Sequence, residues 1–506
     1  MGNFSTWDYV VVAIYLAASI WLGLRFTRGQ KSLERYFVAA RNAPWWAAGI
    51  SVIAANFSAI SYMGVPAWVY QHDLRLDMGV VWFPLQMLLV VYLFVPFMAR
   101  LRLYTIYEYL EYRFGLPARL LASAFFILVR GGHLAIAIYA QAMALSLVLH
   151  IPVNACIWIS GAATTLYTVF GGIEAVLWTD VMQFFVLVGG IFVILFAVLA
   201  PFGYNPAEVW RLASEGGHTQ MFSFQFDLTT EVTVWAIFFG NLILNLSAYG
   251  SDQVIVQRYF TAGSKKGMVR AVLLNGFLTV PLVLLLAFIG LAFVAYYRAN
   301  PALAAGLPKP DQILPHFVTN VLPSPLPGLV IAGILAATMS TLSSGLNSLC
   351  TVTMVDFYKR FRGEAAGGSE VGTARLFTLA WGIAITFTAM YMGALGQIVE
   401  GTLKVLGFLS GPLLGMFLLG ILTRRANSIG VLAGAVVGTL ITYFVARYKL
   451  PGNAEIAWLW YGPVGLIATV AIGYPISFLQ PGLSSEKVIP LTIWARPTAP
   501  VESDSE

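Results

Sequence analysis

Charge is what this sequence has least of. Only 10% of its 506 residues are Asp, Glu, Lys or Arg, against 59% hydrophobic. A soluble domain carries roughly 25% charged residues, so a soluble enzyme or binding module is excluded for nearly the whole chain. The formal net charge of +6 is accordingly no nucleic-acid footprint, and the Lys and Arg matter by where they fall. Cysteine is almost missing too. Cys156 and Cys350 both lie inside apolar runs, which implies no disulfide framework and leaves the redox compartment undetermined. A nucleotide-binding loop of the GxxxxGK[ST] type is absent, so ATP is not the energy source. The N-terminus Met1-Gly2-Asn3-Phe4-Ser5-Thr6-Trp7-Asp8 has no basic n-region, and its first apolar run reads as a retained span and not a signal peptide. The tail from Gln480 to Glu506 is short and broken by Pro481, Pro490, Pro497 and Pro500, too small for an appended catalytic or output domain. No obligate protein partner is evident.

What the sequence has in plenty is apolar length, with Trp and Tyr to line the interfaces. A window of ~20 residues, enough to cross a ~30 Å hydrocarbon core, finds about thirteen spans. They centre on 7–26, 45–69, 79–99, 119–149, 153–171, 177–200, 233–256, 271–297, 326–356, 373–393, 398–421, 429–447 and 457–479. The reading is an all-α integral membrane protein in a lipid bilayer.

Basic residues set the orientation. Arg25, Arg28, Lys31, Arg35 and Arg41 follow span one, and Arg100, Arg102 and Arg113 follow span three. Arg258, Lys265, Lys266 and Arg270 follow span seven, Lys359, Arg360 and Arg362 span nine, and Arg424 and Arg425 span eleven. The alternate connections are poorer, and span five is followed only by Gly171-Gly172-Ile173-Glu174. The positive-inside rule then places the N-terminus outside and the C-terminus in the cytoplasm, for a multi-pass protein of the plasma (inner) membrane.

Two spans are interrupted at mid-depth. Span two mixes polar residues with Gly and Pro from Ala54 to Pro66, and span seven does so from Gly240 to Gln253. They lie five spans apart. Irregular backbone at that depth survives only where it is buried or lines a cavity, and breaks at matching places in two halves are the mark of an inverted-repeat transporter. The alternative is that Gly64 and Pro66 merely kink a packed helix.

A third feature is a polar stripe inside span nine: Ser340, Ser343, Ser344 and Asn347 recur at i, i+3, i+4 and i+7 on one face. Hydroxyls and backbone carbonyls are hard neutral ligands that suit a small alkali cation. The same hydroxyls can also bond back to their own helix. Trp178-Thr179-Asp180 opens span six, and Asp180 with the serines would make an anionic oxygen cage. Glu400 and Lys404 stand at i, i+4 in the favourable order for a structural helix pair.

These residues resemble a known family. Pro44 to Asn56, Gly171 to Gln183, Asp252 to Tyr259 and Ser340 to Asp356 are similar to motifs of the sodium/solute symporters, which include sodium–glucose, iodide, multivitamin and bacterial sialic acid symporters. The likeness runs from about residue 7 to 425. It implies a LeuT-like five-plus-five inverted repeat with flanking helices: an extra helix and basic loop over 1–44, repeats over 45–200 and 233–421, an external loop over 201–232, two more helices over 422–479 and a cytoplasmic tail over 480–506. It implies no cofactor, only sodium as coupling ion, and two sodium sites. One would use carbonyls of Ala54, Phe57 and Ala337 with hydroxyls of Ser340 and Thr341; the other Asp180, Ser340, Ser343 and Ser344. The solute would lie between spans two, four and seven, near Asn56, Ser58, Ser61 and Asn245.

The expectation is therefore sodium-coupled import, by alternating access, of a small polar organic solute. That solute would be sugar-like, or carboxylated as in a sialic acid, with two sodium ions per solute. The sialic acid symporters hold the solute carboxylate with an arginine in span four; here His133 aligns with it, Arg130 lies one turn earlier, and Val80 stands where those proteins have a pocket glutamine. Arg130 and His133 share a face and could meet an anion, or Arg130 could be structural; its partner must come from another span, a carbonyl or the solute. A proton-coupled permease for a neutral sugar or polyol, with Asp180 as proton carrier, and a transporter-like sensor are the rivals.

Overall fold

The computed structural model describes residues 4–26, 32–304, 309–362, 370–449, 454–480 and 488–494. Met1, Gly2, Asn3, Arg28, Lys31 and the tail beyond Gln480, apart from 488–494, lie outside the described residues. Within them the molecule is helical throughout, with one isolated β-bridge between Lys449 and Glu455.

Nine helices are long and apolar enough to cross a membrane, and two bent pairs raise the number to eleven among the described residues. Spans two and seven are those bent pairs. Span two is Trp45–Asn56 followed by Ala59–Gln71, turned by 55°; span seven is Val234–Gly250 followed by Gln253–Thr261, turned by 48°. The break in span two falls at Phe57 and Ser58, where Ser58 caps the second half by accepting from Ile60 N at 3.1 Å. Pro66 lies inside that second half, so the proline is not what breaks the span. Asp252 caps the second half of span seven in the same way, accepting from Val254 N at 2.8 Å.

The expected count of thirteen is reached only with two shorter pieces. Span three is a 3-10 turn at Asp77–Trp82 leading into Phe83–Leu93 and Val95–Met98. Span five is the first part of Val153–Leu199, which turns sharply at Gly172 with φ 59° and ψ −173° and continues as span six. That conformation belongs to glycine, and it is why a four-residue stretch without basic residues suffices between two spans.

Span nine, Leu326–Val352, is the central post: 94% of its most apolar window is buried, against 22% for span one, Thr6–Arg25. Its hydroxyls are thus surrounded by protein, as the cost of polar groups in lipid requires. Cys156 and Cys350 are free and buried.

Two of the arginines counted as loop cations are buried on helices. Arg258 is fully buried on Gln253–Thr261, and Arg113 is buried on Glu108–Phe114, donating to the carbonyls of Gly420 and Thr423. The connection over 201–232 also carries structure that the sequence reading left blank, an amphipathic helix at Pro206–Glu215 in which Arg211 pairs with Glu208 and Glu215.

Candidate functional site

The break in span two leaves two carbonyls without helical donors. Ser58 N–H donates to Asn56 O, so Ala54 O is not served by the residue four positions on. Span nine supplies the missing donors. Ser340 Oγ lies 2.8 Å from Ala54 O and 3.0 Å from Ala337 O; Thr341 Oγ1 lies 3.1 Å from Ala55 O and 3.0 Å from Ala337 O. Each hydroxyl has one proton, and here two protons serve four oxygen–oxygen contacts. The result is a buried oxygen cluster short of donors, chemistry that suits a hard monovalent cation. Phe57 stands in the break itself at φ −82°, ψ 83°. Ala55 O joins the cluster without having been anticipated.

Asp180 lies beside this cluster and is fully buried. Its Oδ2 accepts from Ser51 Oγ at 2.5 Å, Arg258 Nη2 at 3.1 Å and Ser344 Oγ at 3.3 Å, while Oδ1 has no partner. Arg258 also reaches Ser51 Oγ at 2.8 Å, Ser344 Oγ and Val254 O. Of the four residues expected together, the structure brings Asp180 and Ser344 into contact. Ser343 Oγ bonds back to Ser340 O at 3.2 Å, and Ser340 faces span two. The cation that offsets the Asp180 carboxylate here is Arg258, a residue the sequence reading had assigned to a loop; Ser51 was likewise missed. Both lie in stretches that carry the family resemblance, Pro44 to Asn56 and Asp252 to Tyr259, but their pairing depends on how span seven bends.

Between spans two, three, four, seven and eleven lies a cavity of about 340 Å³. All six expected solute residues, Asn56, Ser58, Ser61, Arg130, His133 and Asn245, line it. Asn56 Nδ2 donates to Tyr249 Oη at 2.6 Å, which ties the break in span two to span seven, and Asn245 Nδ2 donates to Gln86 Oε1 at 2.7 Å. Arg130 Nη2 meets Asp252 Oδ2 at 2.5 Å. Its partner therefore comes from another span: the acid that caps the second half of span seven. Arg130 Nε and His133 Nδ1 are buried without partners. Asp77, at the start of the 3-10 turn in span three, also lines the cavity with Oδ2 unpartnered.

Tyr249, Asp252 and Asp77 are among the cavity residues that sequence reasoning missed. Asp252 was within reach, since an acid directly after Gly250-Ser251 is a helix-cap signal. Asp77 reads in sequence as an ordinary acid at a span end. Glu400 and Lys404 form the expected pair at 2.6 Å.

Comparison with known proteins agrees with this geometry. Residues 36–438 match the Sodium:solute symporter family. The Sodium/sialic acid symporter NanT of Aliivibrio fischeri is 31% identical, over 93% of this chain and 93% of that protein. The human Sodium/iodide cotransporter is 33% identical, over 88% of this chain and 70% of its own. A solved structure of a sodium-coupled sialic acid symporter, substrate-bound and outward-open, superposes with a TM-score of 0.87 at 30% identity, covering 96% of this chain and 100% of that one. The architecture is the LeuT-type fold shared with such transporters.

Proposed function

This chain belongs to the sodium:solute symporter family, and from that premise we propose that the oxygen cluster between spans two and nine couples sodium to a small polar organic solute in the adjoining cavity. Sodium-coupled symport of a small solute is the activity of the chain, which is a membrane transporter and not an enzyme. The finer reading is that Ala54, Phe57 and Ala337 offer carbonyls, and Ser340 and Thr341 hydroxyls, to one sodium ion. Asn56 stands between Ala54 and Phe57 in the chain and lines the cavity, donating to Tyr249. An ion that fixes the break would fix Asn56 as well, raising solute affinity; reciprocity then makes solute raise sodium affinity.

A second sodium would use Asp180, whose Oδ1 is unpartnered, with Ser340, Ser343 and Ser344. Ser343 must then turn from Ser340 O, and the ion must share Asp180 with Arg258. Two ions per solute follow. In this reading residues 45–200 and 233–421 form the two inverted repeats, and the protein sits in the plasma (inner) membrane with its N-terminus outside and its C-terminus in the cytoplasm.

The solute is read as sugar-like from the amide and hydroxyl groups of Asn56, Ser58, Ser61 and Asn245 around the cavity. The sialic acid relatives favour a carboxylated version. Against it stands the Arg130–Asp252 pair, which already neutralises that arginine. The observation that carries the proposal is the donor-poor contact of Ser340 and Thr341 with Ala54, Ala55 and Ala337. Replacing external sodium by choline at fixed pH tests it in proteoliposomes: sodium-coupled uptake collapses, whereas a proton-coupled permease acting through Asp180 continues.

A further inference from the structure

Four of the side chains that line the cavity are titratable: Asp77, Arg130, His133 and Asp252. Arg130 and Asp252 cancel each other at 2.5 Å. Asp77 has no such partner. It is 8% exposed, its Oδ2 receives no hydrogen bond, and no described Lys or Arg pairs with it. The nearest basic residue in sequence, Arg75, is held by Asp73 at 2.8 Å.

The immediate surroundings leave the carboxylate little to bond with. Leu76 and Val80 flank it on the same turn and also line the cavity. Gly79 lets span seven come close: a Cβ there would stand 2.4 Å from Asn241 Nδ2. A carboxylate held among apolar neighbours is costly unless a donor reaches it, and a charge-assisted bond formed there is worth more than one in water. Among the described residues no group of three or more acidic or His side chains could make the site a metal centre. One carboxylate is instead a fit for one cationic nitrogen.

Resting on the reading of this cavity as the solute site, we propose that Asp77 recognises a protonated amine on the solute. The transported class is then a small amine-bearing polar molecule, an amino sugar or a zwitterion, and not a simple carboxylate or neutral sugar. The amine neutralises Asp77, and the amides and hydroxyls of spans two and seven hold the rest. An acid with no amine leaves the buried Asp77 carboxyl without a donor and is rejected.

The test uses purified full-length protein in sodium chloride and reads melting temperature and affinity for matched probes: glucosamine against glucose, and L-alanine against L-lactate. The amine-bearing member of at least one pair should stabilise the protein and bind more tightly than its hydroxyl counterpart by about tenfold or more, the scale of a charge-assisted bond. Asp77→Asn should abolish that preference and Asp77→Glu retain part of it; Asp77→Ser takes the place of Asp77→Asn if the latter does not fold. The assignment is overturned if the hydroxyl counterparts bind as well, if no amine-bearing probe binds, or if Asp77→Asn keeps the preference. It is also overturned if Asp77→Asn instead loses stabilisation by sodium in the absence of probe. Repeating the panel in potassium separates the two readings: probe binding that persists unchanged contradicts sodium coupling and leaves the assignment of Asp77 intact.

Discussion

Arg130 of span four and Asp252 at the break of span seven meet at 2.5 Å in the wall of the cavity between spans two, four and seven. The acid has two duties, because its other oxygen caps the helix that begins at Gln253. The contact joins an element that lines the cavity to the part of the chain that bends.

Removing either charge leaves the other buried and uncompensated, which costs about 3–5 kcal/mol. Arg130→Gln and Asp252→Asn should each lower the melting temperature markedly, and the double variant should recover much of the loss. Melting curves of the three proteins decide it; a double variant no better than the sum of the singles contradicts the pairing. If a solute carboxylate docks on Arg130, Asp252→Asn alone should tighten it.

Asp180 and Arg258 predict a different pattern. Asp180→Asn keeps an oxygen and removes the charge, so one sodium should weaken while the other stays. The Hill coefficient for sodium-activated uptake should fall from above one toward one. A coefficient unchanged from wild type means that Asp180 serves Arg258 alone.

Gly172 turns the chain between spans five and six at φ 59°, ψ −173°. A side chain in that region costs on the order of 1–3 kcal/mol, so Gly172→Ala should lower the melting temperature with little change in sodium affinity. A variant as stable as wild type would show that the turn tolerates another conformation.

Glu108 lies outside the spans on Glu108–Phe114. Burial pushes its carboxyl from the ordinary 4.5 up to about 7, although Arg119 and the amides of Thr105 and Tyr104 pull the other way. Between those values the folded chain holds a proton that the unfolded chain has released, so this residue's contribution to stability falls as pH rises through the window. Glu108→Gln keeps an acceptor for the two amides and removes the titration. Its melting temperature should gain on wild type from about pH 5 to about pH 8, and a difference that does not vary with pH contradicts the account.

The membrane class, the bent spans and the polar stripe of span nine were legible because each is local: apolar length, Gly and polar residues at mid-span, a helical repeat. The contacts that give the site its electrical character were not. Arg258 follows an apolar run and reads as a cytoplasmic cation; only the 48° turn of span seven swings it onto Asp180. Asp77 sits at a span end, where acids are commonplace, and nothing in its neighbours tells that a 3-10 turn puts it on the cavity wall. Spans three and five were harder to delimit for a related reason, since Gly172 joins spans five and six without a loop and span three is divided into short pieces. Periodicity reports which face of a helix is apolar, but not which distant residue comes to meet it.

The central claim is that Ser340, bridging Ala54 O and Ala337 O, is where sodium takes hold of the broken span. Ser340→Ala removes that hydroxyl and little else. Sodium-dependent uptake into proteoliposomes, measured against sodium concentration at matched protein levels, tests it most directly. The account predicts that the half-saturating sodium concentration rises about tenfold or more, the scale of one lost ion ligand, while stability in sodium-free buffer falls only by the loss of one buried hydrogen bond, about 1–3 kcal/mol. An Ser340→Ala variant with wild-type sodium dependence would contradict it.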